Sequence, residues 1–162
     1  MKLLILRETN GDNACFKVFD ECENLLFNVI GKDSHGVRQL KAFTSEDKCV
    51  IKISATPQIG STTGYNVITP HHAFAVTVKL KAADLCLKIH GAKFFFRGNL
   101  YTRSFEITDV SSKAMACHKP EAGKSGRYIL DVFEESQVLS LLAISICADT
   151  ISFSDSAAIC RA

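Results

Sequence analysis

The feature that most constrains this 162-residue chain is an apolar stretch near its C-terminal end. From Gln137 to Ala148, twelve residues pass without a charge, and the apolar side chains surround the whole helical wheel. A helix that is apolar on every side has to be buried on every side. A spanning helix needs about 20 apolar residues, so this run is too short to cross a bilayer. We therefore expect an enclosed helix over about 136–150, with Ser136 as its N-cap.

The sequence before this stretch predicts about twelve short strands, with turn signals every eight to twelve residues. In one of them Phe74, Val76 and Val78 share a face, while Lys79 and Lys81 share the other. A closed barrel has a lumen that an all-apolar helix can fill, and closure removes the strand edges. The sequence thus predicts a single mainly-β domain over 1–162. We expect a closed twelve-stranded antiparallel β-barrel, with strands over about 2–133, enclosing one C-terminal α-helix.

An internal repeat supports two related halves of one barrel. The sequence FKVFD at 16–20 is followed 89 residues later by FEITD at 105–109, and at the same offset Leu26 falls on Met115. Each copy reads as a strand, a turn that begins with Asp, and a returning apolar strand. Two copies are too few for a solenoid.

Charge is unevenly distributed along the chain, although the net formal charge is only +2. The segment 48–105 carries eight basic residues and one acid, Asp84, for a net charge of +7, whereas the remainder carries −5. Basic side chains near an anionic bilayer contribute about 1 kcal/mol each. The alternative interpretation is that these residues only solubilise an outer barrel wall. The predicted lipid or anion-binding residues are Lys79, Lys81, Lys88, Lys93, Phe95, Arg97 and Arg103.

Motifs for catalysis and metal binding are not found in the sequence. GKS at 123–125 precedes a strand and lacks the earlier glycine of a P-loop, so we expect a turn. Cys117 and His118 are adjacent on a strand and should point to opposite faces. His71 and His72 lack a ligand partner at metal-binding spacing, and the seven cysteines form no CxxC motif. We expect no enzymatic activity, no metal or cofactor, and free thiols, with Cys22 and Cys160 exposed.

Several segments together resemble the LURP-one-related family. They are FKVFD at 16–20, NLLF at 24–27, Leu40 with DKCVIKI at 47–53, KIHG at 88–91, RSFEITD at 103–109, and the strand and apolar helix over 128–151. The resemblance implies the superfamily of tubby C-terminal domains and phospholipid scramblases, whose fold is a twelve-stranded barrel around a hydrophobic helix. Plant members of the family are associated with pathogen defence, and tubby-type members bind phosphoinositides.

These observations predict a cytoplasmic, monomeric, non-enzymatic module, peripheral at the plasma membrane when it is bound to anionic phospholipid headgroups. The alternative is a protein-interaction or regulatory domain in stress or defence signalling. The low net charge argues against a nucleic-acid partner.

Overall fold

The computed structural model describes residues 1–10, 13–34, 37–57, 59–60, 62–81 and 84–159; the side chains of 9–10, 13–14, 33–34, 37, 80–81, 84 and 151–159 are outside the description. Within this part of the chain lie twelve strands, one 3₁₀ turn and one α-helix. The strands are β1 (Lys2–Asn10), β2 (Asn13–Phe19), β3 (Leu25–Ser34), β4 (Val37–Thr44), β5 (Cys49–Ala55), β6 (Thr62–Ile68), β7 (Ala73–Lys81), β8 (Asp84–His90), β9 (Phe95–Asn99), β10 (Ser104–Thr108), β11 (Ala114–Pro120) and β12 (Arg127–Val132). The helix α1 spans Val138–Ile159.

All twelve strands belong to one antiparallel sheet that curls around α1. Its order is β8-β7-β6-β5-β4-β3-β2-β1-β12-β11-β10-β9, so β1 pairs with β12 and the two halves of the chain meet there. The helix packs against β5, β6 and β7 on one side and against β11 and β12 on the other. The predicted mainly-β barrel with one enclosed helix is confirmed.

The barrel differs from the prediction in being nearly closed. Its end strands β8 and β9 lie side by side, but no ladder joins them within the described residues. The connection between them, residues 91–94, is short. Instead of making a tight hairpin, it turns at Gly91, which has a φ of 85°, and directs Phe94 into the core. The Phe94 ring lies edge-on to that of Phe74, with centroids 6.4 Å apart. β9 begins only at Phe95.

The internal repeat is visible in the backbone of two five-residue turns. In one turn the N–H groups of Cys22 and Asn24 donate to the Asp20 carboxylate, and in the other those of Ser111 and Lys113 donate to the Asp109 carboxylate. The strand before each turn has a register shift at its last two residues. A third turn, from Thr44 to Lys48, has the same backbone hydrogen bonds with Thr, instead of Asp, at its first position. The internal repeat therefore corresponds to one type of turn after a strand, which occurs three times in the described part of the chain.

The helix begins later than expected and is longer. Ser136 lies in the 3₁₀ turn Glu135–Gln137, and its hydroxyl donates to the Glu134 carboxylate at 2.8 Å instead of capping the helix. The predicted N-cap is therefore wrong. The α-helix starts at Val138, and from Ser140 to Thr150 every side chain is buried. No described helix is long and apolar enough to reach across a bilayer.

The barrel core is made of the inward-facing side chains of the strands and the apolar surface of α1. Leu141, Leu142 and Ile144 on the helix are 0% exposed, as are Leu3 and Phe16 on the first two strands. Alternation places every second strand residue in this core. Because such positions are close-packed, the removal of one side chain leaves a cavity.

We expect Leu142→Ala to lower the free energy of unfolding by about 2–5 kcal/mol, because it removes buried methyl groups and leaves a cavity inside the sheet. Ser145→Ala is the matched control on the same helix. Its hydroxyl is fully buried but bonds only to the Leu141 carbonyl at 2.9 Å, and we expect its loss to change stability by about 1 kcal/mol or less. Urea unfolding measures both. Equal effects would contradict the enclosed position of Leu142.

Because of the carboxylates in the two Asp turns, we expect the free energy of unfolding to fall in acid. Hydrogen bonds from Asn24 and from Ser111 lower the pKa values of Asp20 and Asp109, respectively. A carboxylate whose pKa is lowered by folding stabilises the fold above its unfolded pKa, and this stabilisation is lost as pH falls through the folded pKa. We therefore expect Asp109→Ala to lower the urea midpoint at neutral pH, and the difference from wild type to shrink in acid. Glu46→Ala, at an exposed turn position, is the control for the removal of one acidic side chain, and we expect it to leave the urea midpoint at neutral pH unchanged.

Candidate functional site

The outer wall of β3 to β8 is the most unusual surface of the barrel. The register sets Lys41 of β4 directly opposite Lys52 of β5, and Lys52 opposite Ile68 of β6. On the other side of Lys41 lies Ile30 of β3. All four side chains are exposed. Two lysines directly opposite each other repel, and such like-charge pairs destabilise a sheet.

Two further lysines extend this wall toward the edge of the sheet. Lys79 of β7 lies opposite the exposed Cys86, and Lys88 of β8 lies opposite Thr77. Next to them the His90 Nε2 atom is 2.9 Å from the Thr77 hydroxyl. The wall is therefore polar and basic across several neighbouring strands.

The outward charges that are described on this wall have one sign. Among the described side chains that face outward on β3 to β8, five are lysines and none is a carboxylate, and none of the five forms an ion pair. We call this set the lysine wall: Lys32, Lys41, Lys52, Lys79 and Lys88. Two basic residues elsewhere form ion pairs: Lys17 is 3.2 Å from Glu8, and Arg127 is 3.0 Å from Glu121. On the lysine wall, the described positive charges lie without such partners.

A small open hollow lies within the lysine wall, where β5 begins and β6 ends. It has a volume of about 220 Å³, and its lining comes from the start of β5 and from the residues around the β6–β7 turn. The lining residues are Cys49, Val50, Lys52, Ile68, Thr69 and Pro70. One cation at the rim of an apolar hollow suits a group with an anionic part and an aliphatic part.

The predicted lipid-binding residues fall into three places. Lys79 and Lys88 are in the lysine wall. Lys93, Phe95 and Arg97 are exposed on the other side of the seam between β8 and β9, and Arg97 lies opposite Glu106. Phe95 is 53% exposed.

Of the remaining two predicted residues, Arg103 contacts Tyr128, and Lys81 has a side chain outside the described residues. The Arg103 guanidinium donates to the Tyr128 hydroxyl and lies 5.2 Å from the centre of that ring. Burial lowers its pKa, and the nearby Asp149 opposes this shift. Lys81 is paired with Asp84 in the backbone register, but its side chain is outside the described residues.

Sequence reasoning missed three residues of the lysine wall: Lys52, which lies in the basic segment 48–105 but was not among the predicted binding residues, and Lys32 and Lys41, which lie outside that segment. The latter two belong to the wall because β3 and β4 are the next strands in the sheet. Strand order and register, which the sequence does not reveal, therefore place them there. Alternation along β4 was the signal that could have found Lys41, since Leu40 and Ala42 on either side of it are buried.

A second polar group lies inside the barrel, where the fully buried side chains of His118 and Asp149 meet. The Nε2 atom of His118 is 3.1 Å from Oδ2 of Asp149, and its Nδ1 atom is 2.7 Å from the Arg103 carbonyl. A carbonyl only accepts, so the Nδ1 atom of His118 donates to the Arg103 carbonyl. The imidazole ring is stacked between Phe105 and Tyr128, with centroids 4.4 and 5.2 Å away. This arrangement fixes β11 to the helix.

Arginines face the same end of the lumen. Arg7 follows Leu3 and Ile5 on the inward face of β1, and its guanidinium lies 6.0 Å from the centre of the Phe16 ring. Burial and the neighbouring Arg103 lower the pKa of Arg7 to about 10, while Asp149 opposes the shift. The carboxylate of Asp149 therefore offsets positive charge inside the barrel.

The positions of the other candidate groups follow the expected alternation. His118 faces the lumen, whereas Cys117 faces outward with its thiol 3.7 Å from the Glu106 carboxylate. Burial, and then the negative charge of Glu106, raise the pKa of Cys117. GKS at 123–125 lies in the turn between β11 and β12. Among the described residues no three His, Cys, Asp or Glu side chains are grouped as a metal site.

The described cysteines are all free thiols, and Cys22 is exposed as predicted. Cys160, the other thiol that we expected to be exposed, lies outside the described residues. His72 is tied to the helix, with its Nδ1 atom 3.2 Å from the Ser140 hydroxyl, and His71 is exposed in the β6–β7 turn.

We expect His118 and Asp149 to be energetically coupled. Removal of one partner leaves a buried polar group without its mate, so His118→Ala and Asp149→Ala should each lower stability by about 3–5 kcal/mol. The double variant should lose at least about 1 kcal/mol less than the sum, measured by urea unfolding. For comparison, His118→Ala combined with Thr77→Ala should be additive within about 0.5 kcal/mol. Additivity in the first pair would contradict a direct interaction.

Comparison with known proteins supports the fold. No family model and no curated protein matches the chain. Among solved structures it is similar to the X-ray structure of a protein from Arabidopsis thaliana, AT5G01750, with a TM-score of 0.54 and 17% sequence identity over 91% of both chains. At this identity the likeness concerns the fold alone. It extends over nine-tenths of both chains, so it covers the barrel and its helix together.

Proposed function

We propose that this barrel is a non-enzymatic module that docks on anionic phospholipid at a membrane surface. The observation that carries the proposal is the lysine wall: five outward lysines on five of the six neighbouring strands β3 to β8, without a described carboxylate among them. A wall of one charge sign attracts an anionic surface, and each lysine near such a surface contributes about 1 kcal/mol.

The shape of the barrel limits which lysines act together. Strands β3 to β8 are six of the twelve, so the lysine wall spans about half of the circumference, and a flat membrane meets only part of it. Neighbouring strands are about 4.8 Å apart, which puts Lys41 and Lys52 within reach of one headgroup cluster. Lys79 and Lys88 lie farther around the wall and meet the surface at its margin.

The resemblance to LURP-one-related proteins supports the same function. It links the chain to tubby-type domains, whose members bind phosphoinositides, and to plant proteins associated with defence. A cytoplasmic module recruited to the plasma membrane fits that resemblance. In this proposal the exposed Phe95 and the basic residues beyond the seam, Lys93 and Arg97, form a second margin of the docking face.

A second candidate function is protein interaction, and the seam between β8 and β9 favours it. Two neighbouring strand edges that share no ladder in the described part of the chain offer backbone donors and acceptors to an extended segment. A regulatory or defence-signalling domain of this kind predicts a partner whose binding is insensitive to salt.

We expect Lys41→Gln/Lys52→Gln to weaken binding to vesicles that contain phosphatidylserine or phosphoinositide by about 30-fold at low salt, since these two lysines at the centre of the docking face contribute about 2 kcal/mol. Lys113→Gln/Lys119→Gln is the matched control, because it removes the same charge from exposed positions outside the lysine wall. Its effect should be no more than about threefold. Co-sedimentation with neutral and anionic vesicles at two salt concentrations measures both.

Equal losses in the two double variants would mean that net charge, rather than the lysine wall, governs binding. Absence of binding by the unmodified chain at low salt would overturn the proposal and favour a protein partner. Joint substitution of Lys79, Lys81, Lys93 and Arg97 by Gln tests the margin that includes the seam. If this variant binds as wild type does, the docking face is centred on β4 to β6.

A further inference from the structure

One row of the lysine wall combines charge with exposed aliphatic surface. Lys41, Lys52 and Ile68 lie side by side on β4, β5 and β6, and Ile68 is 55% exposed. Next to Ile68 the chain turns through Thr69 and Pro70, which with Val50 line the hollow described above. The three strands are two strand spacings wide, or about 10 Å, so their outer surface is nearly flat.

This row contributes little to the stability of the barrel. The opposed lysines repel each other, and most of the Ile68 side chain is not buried against the protein. Both features suit the boundary of an anionic bilayer. At that boundary the lysines can contact lipid phosphates, while the aliphatic side chain of Ile68 is transferred from water to the acyl region.

We propose that Ile68 and Pro70 enter the headgroup–acyl boundary of an anionic membrane while Lys41 and Lys52 contact lipid phosphates. This inference rests on the proposed function and deepens it, because it names the point of insertion and the orientation of the barrel. The hollow next to Lys52 receives the aliphatic base of a headgroup. The barrel then lies with the outer wall of β4 to β6 against the membrane.

The chain has no tryptophan, so a single introduced indole reports on one position. Ile68→Trp places the reporter in the row, and Tyr101→Trp is the matched control at a similarly exposed position, 45%, in the connection between β9 and β10. The probe is a vesicle of phosphatidylcholine and phosphatidylserine, with phosphatidylcholine alone as the neutral reference. We expect the fluorescence of the reporter at position 68 to shift to shorter wavelength and to be quenched by brominated acyl chains. The reporter at position 101 should show neither change.

Ile68→Ser tests the energetic contribution of insertion. Partial transfer of this side chain from water predicts a loss of vesicle affinity of about five- to tenfold, an order-of-magnitude expectation from the burial of aliphatic side chains. The loss should persist at high salt, where screening weakens the lysine contribution. Because Ile68 faces solvent in the free protein, both variants at this position should keep the wild-type urea midpoint.

The outcomes separate the insertion from the proposed function. Vesicle-bound protein with an unshifted reporter at position 68 would overturn the insertion and leave electrostatic docking intact. Equal shifts at positions 68 and 101 would overturn the orientation. If the unmodified chain does not bind anionic vesicles at all, both proposals are overturned.

Discussion

The structure depends on the burial of one helix on all its sides. From Ser140 to Thr150 no side chain of α1 is exposed, so the sheet has to pass around the helix. Each strand responds by turning every second side chain toward α1. This requirement explains why β1 and β12, from opposite ends of the strand sequence, pair with each other. A sheet that did not curl would leave one face of the helix in water.

Polar side chains inside the barrel are tolerated because they meet one another. Asp149 is buried on the helix, where it contacts His118 and lies near the guanidinium groups of Arg7 and Arg103. The Arg103 carbonyl accepts from the other nitrogen of the same imidazole. These interactions connect α1 to three regions of the sheet, and they give the helix a defined rotation and depth that apolar packing alone specifies only loosely.

The outer surface is under a different constraint from the core. Inward positions are fixed by packing, whereas outward positions on β3 to β8 are free to carry five lysines. The cross-strand repulsion of Lys41 and Lys52 lowers the stability of the sheet locally, and the packing of the core offsets this loss. The lysine wall and the exposed Ile68 therefore provide the basis for the proposed membrane function, and the buried helix provides the rigidity that keeps them in register.

The sequence by itself determined the strands, the turns that begin with Asp, and the enclosed helix, because each depends on local periodicity or turn chemistry. Alternation in 73–81 and the repeat at offset 89 were sufficient for these. Only the tertiary structure decided which strands are neighbours, and so which charges meet. It joined Lys32 and Lys41 to the basic segment, turned Arg103 toward Tyr128, and left β8 and β9 without a ladder between them in the described residues. The physical reason is that the hydrophobic pattern of one strand specifies only which of its side chains face the core and which face solvent. The register between strands depends on how all twelve close around α1.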